Sequence, residues 1–364
     1  MTRRFGTLVL CALLAACGGG SKKGKTTPGA GSGASGGNDP TAMNDTGNPQ
    51  GGGAGGGAGS AGTPGGGGGD TGGGAGSGSA EPQVVFPNLD PDPAQAKGQV
   101  DQQLQVAKGA LSQSPPDADG ALRAAKAALA IDASSVDAAA YVAFAYYHKK
   151  QYDTAELVLD ELFKRPTAKQ NANVFYVYGL VYDHTNRPEQ AVLAYRKAVE
   201  INPSFASALV NLGVHQLQNK QYGEAQQTFE KLTKELGRND AITLTSLGSA
   251  YRGRSGDYPV GSAERTQFIL AAEAFYKRAL SANANYGPAY FNLGLLYLDS
   301  DPFPSGGGSL DTMTRLNAAK GFFDQYKNMP GVDIKLYDER MKDVTKLIKR
   351  AQKQQQKKSK GGNP

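Results

Sequence analysis

The chain has 364 residues with 49 glycines, three histidines, two cysteines and no tryptophan, and a formal net charge of +6. Twenty-eight of the glycines lie between Gly18 and Ala80, so the part able to bury a core is shorter than the chain, at most two domains. Eight Lys/Arg against one Asp fall between Lys342 and Lys360, which leaves a near-neutral body with a basic tail and removes net charge as an argument for a nucleic-acid partner.

The opening, MTRRFGTLVLCALLAACGGG, places Arg3 and Arg4 before an apolar run from Leu8 to Leu14. Residues 1–16 read as a secretory signal, too short to span a bilayer as a mature helix. Leu14-Ala15-Ala16-Cys17 resembles the bacterial lipobox, in which the cysteine is acylated through sulfur and becomes the first residue after cleavage. The alternative is an ordinary signal peptide with an incidental cysteine. On the lipobox reading Cys17 is the lipid attachment site and Cys11 leaves with the signal. The mature chain then has no free thiol, hence no disulfide, cysteine nucleophile or thiolate metal site. Gly18 rather than Asp follows Cys17, which favours the outer membrane, facing the periplasm.

Residues 17–85 are Gly, Ser, Ala, Pro, Thr and Asn with almost nothing to bury, so they are expected to be a disordered linker. A flexible chain of this length spans roughly 45 Å on average, enough to hold a folded body off a lipid leaflet. Lys22, Lys23 and Lys25 sit next to the expected acyl chains, where anionic headgroups would lie.

Helical spacing begins after Pro87. Val100, Leu104, Ala107 and Leu111 share one face, Pro115-Pro116 ends that run, and Ala121, Ala125 and Ala128 mark a second helix. Residues 98–135 thus read as a degenerate capping pair. The stretch 136–171 carries Val142-Ala143, Tyr146, Ala155, Leu159 and Leu162. In 172–205, Phe175, Tyr178-Gly179 and Tyr182 precede a turn, NRPEQ; Ala191, Tyr195 and Ala198 follow, and Pro203 closes the unit. The spacing returns in 206–239 with Leu209, Leu212-Gly213, Ala225 and Phe229. It restarts at Ala241 with Leu244, Leu247-Gly248 and Tyr251, but Ala272, Tyr276 and Ala279 come about twelve residues late. From Gly287 it gives Tyr290, Leu293-Gly294 and Tyr297, with Ala319, Phe323 and Tyr326 late again. A final amphipathic helix from about Val332, with Ile334, Leu336, Val344, Leu347 and Ile348, is expected to dissolve into KRAQKQQQKKSK.

This 34-residue pattern resembles the tetratricopeptide repeat, two antiparallel helices per unit. Small residues such as Gly179, Ala191 and Ala198 let helices approach, large ones such as Tyr178, Tyr182 and Tyr195 supply area to bury, and one hairpin alone cannot cover its apolar face. The resemblance implies an all-α superhelical solenoid of about five helix-turn-helix repeats plus capping helices over 86–330. Residues 331–364 would then form a C-terminal capping helix and basic tail.

In that fold the first helix of each unit lines the concave face. Transferred by register, the resemblance implies a partner-binding groove of Tyr141, Phe144 and Tyr147; Tyr176, Leu180 and Asp183; Val210, Asn211, Val214 and Leu217; and Phe291, Asn292 and Leu295. His148, His184 and Leu298 fall on the same register. Aromatic and aliphatic side chains with a few amides suit an apolar helix or an extended peptide, and about a third are expected to pack between repeats instead. The carboxylate clamp of chaperone-binding members is absent: Asn211 and Asn292 match its amide part, but Ile242 and Ser246 stand where bases are required.

No catalytic centre emerges from the inventory. His148 and His184 occupy equivalent positions of adjacent units and could meet on the inner surface, but no third metal ligand is apparent. DSDPFPSGGGSLD is acidic and glycine-rich without EF-hand spacing, and the glycine runs are no phosphate-binding loop. The expectation is a binding protein with no cofactor and no metal. Two insertions, Arg252–Arg265 and Asp299–Thr312, fall between the helices of successive units and are expected on one edge of the superhelix, with Phe303 exposed there as part of a candidate second contact site.

The layout of lipobox, Gly-rich spacer and C-terminal repeats resembles the tetratricopeptide lipoprotein of the gliding-motility envelope complex of myxobacteria. It also resembles the type IV pilus pilotins, which escort a secretin to the outer membrane, although these usually lack so long a spacer and have less interrupted repeats. Both resemblances imply a lipid-anchored protein with envelope protein partners of a motility or a pilus/secretion complex, and no nucleic acid.

Overall fold

In four helix pairs a glycine of the first helix faces an aromatic ring of the second, and that repeated contact sets the architecture. The computed structural model describes residues 93–360 apart from Gly307; Cys17, the signal segment and the linker lie outside the described residues. Twelve helices form six antiparallel pairs. They are α1 (Pro93–Leu111) with α2 (Ala118–Ile131), α3 (Val136–His148) with α4 (Tyr152–Phe163), and α5 (Ala172–His184) with α6 (Pro188–Ile201). Next come α7 (Ala206–Gln218) with α8 (Tyr222–Lys234), α9 (Ala241–Arg254) with α10 (Ala263–Ala282), and α11 (Gly287–Asp299) with α12 (Thr312–Lys327). The last helix, α13 (Ile334–Lys360), packs on α12.

A Cβ added at Gly179 would run into the ring of Tyr195; at Gly213 it would lie 2.7 Å from Phe229, at Gly248 2.7 Å from Tyr276, and at Gly294 2.5 Å from Phe323. All four aromatic rings are completely buried. Where the unit carries Ala143 in place of glycine, the corresponding buried residue is the smaller Leu159. In the last four pairs the helices therefore meet at the distance a ring lying on a bare backbone allows, and the pairs stack into one body.

Seams between units are closed by polar bonds at their edges. The phenols of Tyr178, Tyr251 and Tyr297 donate to Asp160 (2.8 Å), Glu230 (2.5 Å) and Glu273 (2.6 Å), each on the second helix of the preceding unit. Arg187 forks onto Glu156 with two bonds of 2.7 and 2.6 Å while its guanidinium lies on the Tyr182 ring. Asp137 accepts from both Asn171 (2.8 Å) and Asn173 (2.9 Å), and Asn171 also caps α5. The extra residues before α5 are taken up by a short 3₁₀ turn, Pro166–Gln170, with Ala168 buried.

Three differences from the sequence reading concern the C-terminal half. The first insertion is largely helical: α9 continues to Arg254, a 3₁₀ turn covers Ser255–Asp257, and α10 begins at Ala263, well ahead of Ala272. Phe303 is not exposed; it is 2% accessible and stacks on Tyr297 with ring centroids 4.0 Å apart, because an apolar ring between two prolines finds the top of α11 a better neighbour than water. The tail does not dissolve, since α13 runs through the basic stretch to Lys360. Its Leu336, Tyr337, Val344 and Ala351 share one buried face, and the Gln, Lys and Arg that follow are good helix formers able to extend a docked helix.

Candidate functional site

The first helices α3, α5, α7, α9 and α11 present the positions that the repeat register assigns to the inner surface. Of the thirteen residues expected to line a groove there, ten are buried: Tyr141, Phe144, Tyr147, Tyr176, Leu180, Val210, Leu217, Phe291, Asn292 and Leu295. The expectation that a third of them pack internally is too low, and the reason is size. Phe144 and Tyr176 are completely buried and 6.1 Å apart edge-on, and Tyr176 lies 4.9 Å from Phe205 and 6.1 Å from Tyr195. Large rings at these positions reach across the seam to the next unit rather than into the groove. Asn292 turns inward and bonds the carbonyl of Pro288 at 2.8 Å. Asn211 and Val214 are half-buried, and Asp183 is exposed.

Asp183 is committed to the protein itself. Its carboxylate accepts from the Tyr195 phenol (2.7 Å) and pairs with His215 Nε2 (2.8 Å), so one side chain of α5 ties α6 to α7. Burial, and the Asp183 charge beside it, hold the Tyr195 phenol far above its ordinary range. His215 is itself buried. Sequence reasoning read Asp183 only as a groove residue and missed this triad. The available signal was a buried-helix position of α7 carrying His where apolar residues surround it, since an imidazole there needs a partner.

His148 and His184 share an aromatic neighbour. The Tyr147 ring is 5.2 Å from His148 and 5.1 Å from His184, and His184 stacks on Tyr152 at 4.7 Å. Desolvation in this aromatic nest lowers the His184 imidazole from its ordinary value. Among the described residues no three His, Cys, Asp or Glu side chains are grouped to hold a metal ion.

What stays accessible along the inner register is therefore a polar strip. It runs from His184 and Asp183 on α5 through Asn211, Val214 and Gln218 on α7 to Arg252 on α9. Arg252 approaches Asp299 at 3.7 Å, and Arg340 of α13 and Arg315 of α12 act on the same carboxylate. The strip thus ends at an ionic cluster that also fixes α13. Such a surface offers amide, carboxylate and guanidinium groups around one apolar contact at Val214, which suits the backbone and polar side chains of a peptide segment better than a purely apolar helix.

The second insertion folds back on the body. Its residues Pro304–Ser305 and Gly308–Ser309 form a two-residue antiparallel ladder, and this ladder rests on α10, the helix that follows the first insertion. The buried Arg315 guanidinium bonds the carbonyls of Tyr297 (2.8 Å) and Leu298 (2.9 Å) and Asp301 (2.8 Å). Arg254 reaches Gln226 at 2.8 Å and covers the Phe268 ring, which stacks on Tyr258. Both insertions are thereby pinned to the body.

Comparison with known proteins agrees with this geometry. Tetratricopeptide repeat models match residues 172–205 and 194–227. The solved structure of the Pseudomonas aeruginosa pilF protein is similar at a TM-score of 0.50 and 19% identity, over 68% of this chain and 99% of that one. PilW, a widely conserved type IV pilus biogenesis factor, is similar at 0.44 and 18% identity, over 61% and 92% of the two chains. Among curated proteins, a probable UDP-N-acetylglucosamine–peptide N-acetylglucosaminyltransferase SPINDLY of Hordeum vulgare is 29% identical over 151 residues. Those residues are 39% of this chain and 15% of that protein's length, so this chain matches a small part of the enzyme. The repeat matches and the six stacked helix pairs show the fold of this chain to be a tetratricopeptide-repeat solenoid.

Proposed function

We propose that this protein is a non-enzymatic scaffold whose inner polar strip holds a peptide segment of a protein partner. The observation that supports it is the strip itself: accessible polar positions on three consecutive first helices. With the lipobox-like Leu14-Ala15-Ala16-Cys17 and the Gly-rich stretch behind it, the reading extends to a lipid-anchored protein of the outer membrane facing the periplasm. Its partners would belong to an envelope-spanning complex. The layout of anchor, long spacer and interrupted repeats favours gliding-motility machinery; a pilotin-like role in assembling an outer-membrane secretin is the second reading, favoured by the lipobox and repeats alone.

The test is photo-crosslinking in cells from Val214, which is half-exposed at the centre of the strip, in place of the fully buried Tyr176. Capture of motility-complex envelope proteins supports the first reading, and capture of a secretin moves the protein to the second. With the photo-reactive residue moved to Gln218 of the same strip, Val214→Glu should abolish capture, with a loss of at least about tenfold in affinity, roughly 1.4 kcal/mol, while the circular dichroism of the solenoid is unchanged. Undiminished capture by that variant would remove the strip from consideration.

A further inference from the structure

The continuation of α13 as a helix beyond its docked part, which ends at Ala351, turns a charge run into a shaped surface. Lys342, Lys346, Lys349, Lys353 and Lys357 succeed one another at steps of four, three, four and four residues, which keeps them in one stripe along a helix. All five are exposed. Leu336, Tyr337, Val344 and Ala351 occupy the opposite side and are buried, with Leu347 and Ile348 partly so. The helix is therefore held against the solenoid by its apolar face as far as Ala351 and turns its lysines outward, in a stripe roughly 22 Å long at 1.5 Å per residue. After Asp343 the sequence contains no Asp or Glu, and none of the five lysines forms an ion pair among the described residues.

We propose that this stripe docks the solenoid onto a bilayer surface bearing anionic, phosphate-containing lipid headgroups. Three features select a lipid surface over other polyanions. The stripe lies along one helix whose docked part carries Lys342, Lys346 and Lys349, so its charges meet a flat surface together. Apart from the partly buried Met341 at its edge, no apolar residue lies beside the lysines, which suits adsorption to headgroups without insertion. No aromatic residue follows Tyr337, so there is no platform on which unpaired bases could stack. The choice rests on the membrane-anchored reading above, in which the same surface already holds Cys17 and lies beside Lys22, Lys23 and Lys25. The tether sets the reach of the body, and the stripe sets its orientation, with the inner strip left free for a partner.

The experiment uses the mature chain from residue 17 with Cys17→Ser, so that no acyl chain is present, and measures co-sedimentation with phosphatidylglycerol/phosphatidylcholine vesicles. Binding is expected to the mixed vesicles, not to phosphatidylcholine alone, and to fall at high salt. A juxtamembrane lysine is worth about fivefold in binding, so Lys346→Gln, Lys349→Gln and Lys353→Gln together should weaken it about a hundredfold with helicity retained. Unchanged binding by the triple variant, equal binding to neutral vesicles, or tighter binding to duplex DNA than to mixed vesicles would each overturn the proposal. Failure of the anchoring reading would appear separately, as no labelled fatty acid on Cys17 in cells, and would leave the vesicle result readable.

Discussion

The two C-terminal helix pairs and the three that precede them use the same interior and different turns. In the pairs α3–α4, α5–α6 and α7–α8 the connection is the shortest available. Lys150, Asn186 and Lys220 take left-handed backbone (φ 60°, 58° and 60°), and the next residue's amide bonds back to the carbonyl of Tyr146, Tyr182 or Gln216. That bond closes the helix end, and none of the second helices α4, α6 and α8 needs a side-chain cap. In α9–α10 and α11–α12 the turn is replaced by an insertion, and each second helix then begins with a capping side chain, Ser262 to Arg265 N at 3.1 Å and Asp311 to Thr314 N at 3.0 Å. The glycine–ring contact occurs in both regions, with Ala143 and Leu159 in its place in α3–α4. Pair geometry is thus set by the interior, and a longer connection is tolerated once it satisfies its own polar groups.

The sharpest way to break that equivalence is at Arg315, which has no counterpart in the short-turn pairs. Arg315→Met leaves the carbonyls of Tyr297 and Leu298 without their donor and should cost about 3 kcal/mol. Amide hydrogen exchange should show α11 and α12 opening well before α5 to α8. Uniform loss of protection along the solenoid would mean that the insertion is not an independently satisfied element. A smaller effect probes what the regions share. Gly213→Ala and Gly294→Ala both force a methyl group against a buried ring, and each should cost about 2 kcal/mol in denaturant unfolding. Equal penalties are expected across the two regions; a much lower value at Gly294 would show that the insertion loosens the pair it interrupts.

How much of this was legible in the sequence follows the same division. The helix pairs were readable because Gly179 with Tyr195 and Gly213 with Phe229 recur at a fixed spacing, and backbone contact with a ring admits few other residues. The groove was harder, because register says which way a position faces and not how far a side chain reaches; Tyr176 faces inward and still ends under Phe205. The Asp183–Tyr195–His215 triad spans three helices, so no local spacing announces it. Phe303 was misread for the opposite reason. Its neighbours in sequence are all turn formers, and the ring that buries it, Tyr297, is on the preceding helix. The end of α13 was misread because composition reports solubility, whereas a helix already docked by Leu336 and Val344 needs only tolerable residues to continue.

The smallest expected effects lie in the turns themselves, and they test the comparison where it began. A non-glycine residue in left-handed backbone carries a penalty that glycine does not, so Lys220→Gly should raise stability by about 0.5 kcal/mol, the gain being reduced by the larger entropy of the unfolded chain. Asp311→Ala removes the cap that an insertion requires and should cost about 1 kcal/mol, while Gln221→Ala, at the corresponding start of α8, should stay within about 0.5 kcal/mol. Thermal unfolding of the three variants gives the order. If Gln221→Ala proved as costly as Asp311→Ala, the back-bonded turn would not be closing its helix end unaided, and the two kinds of connection would differ in length alone.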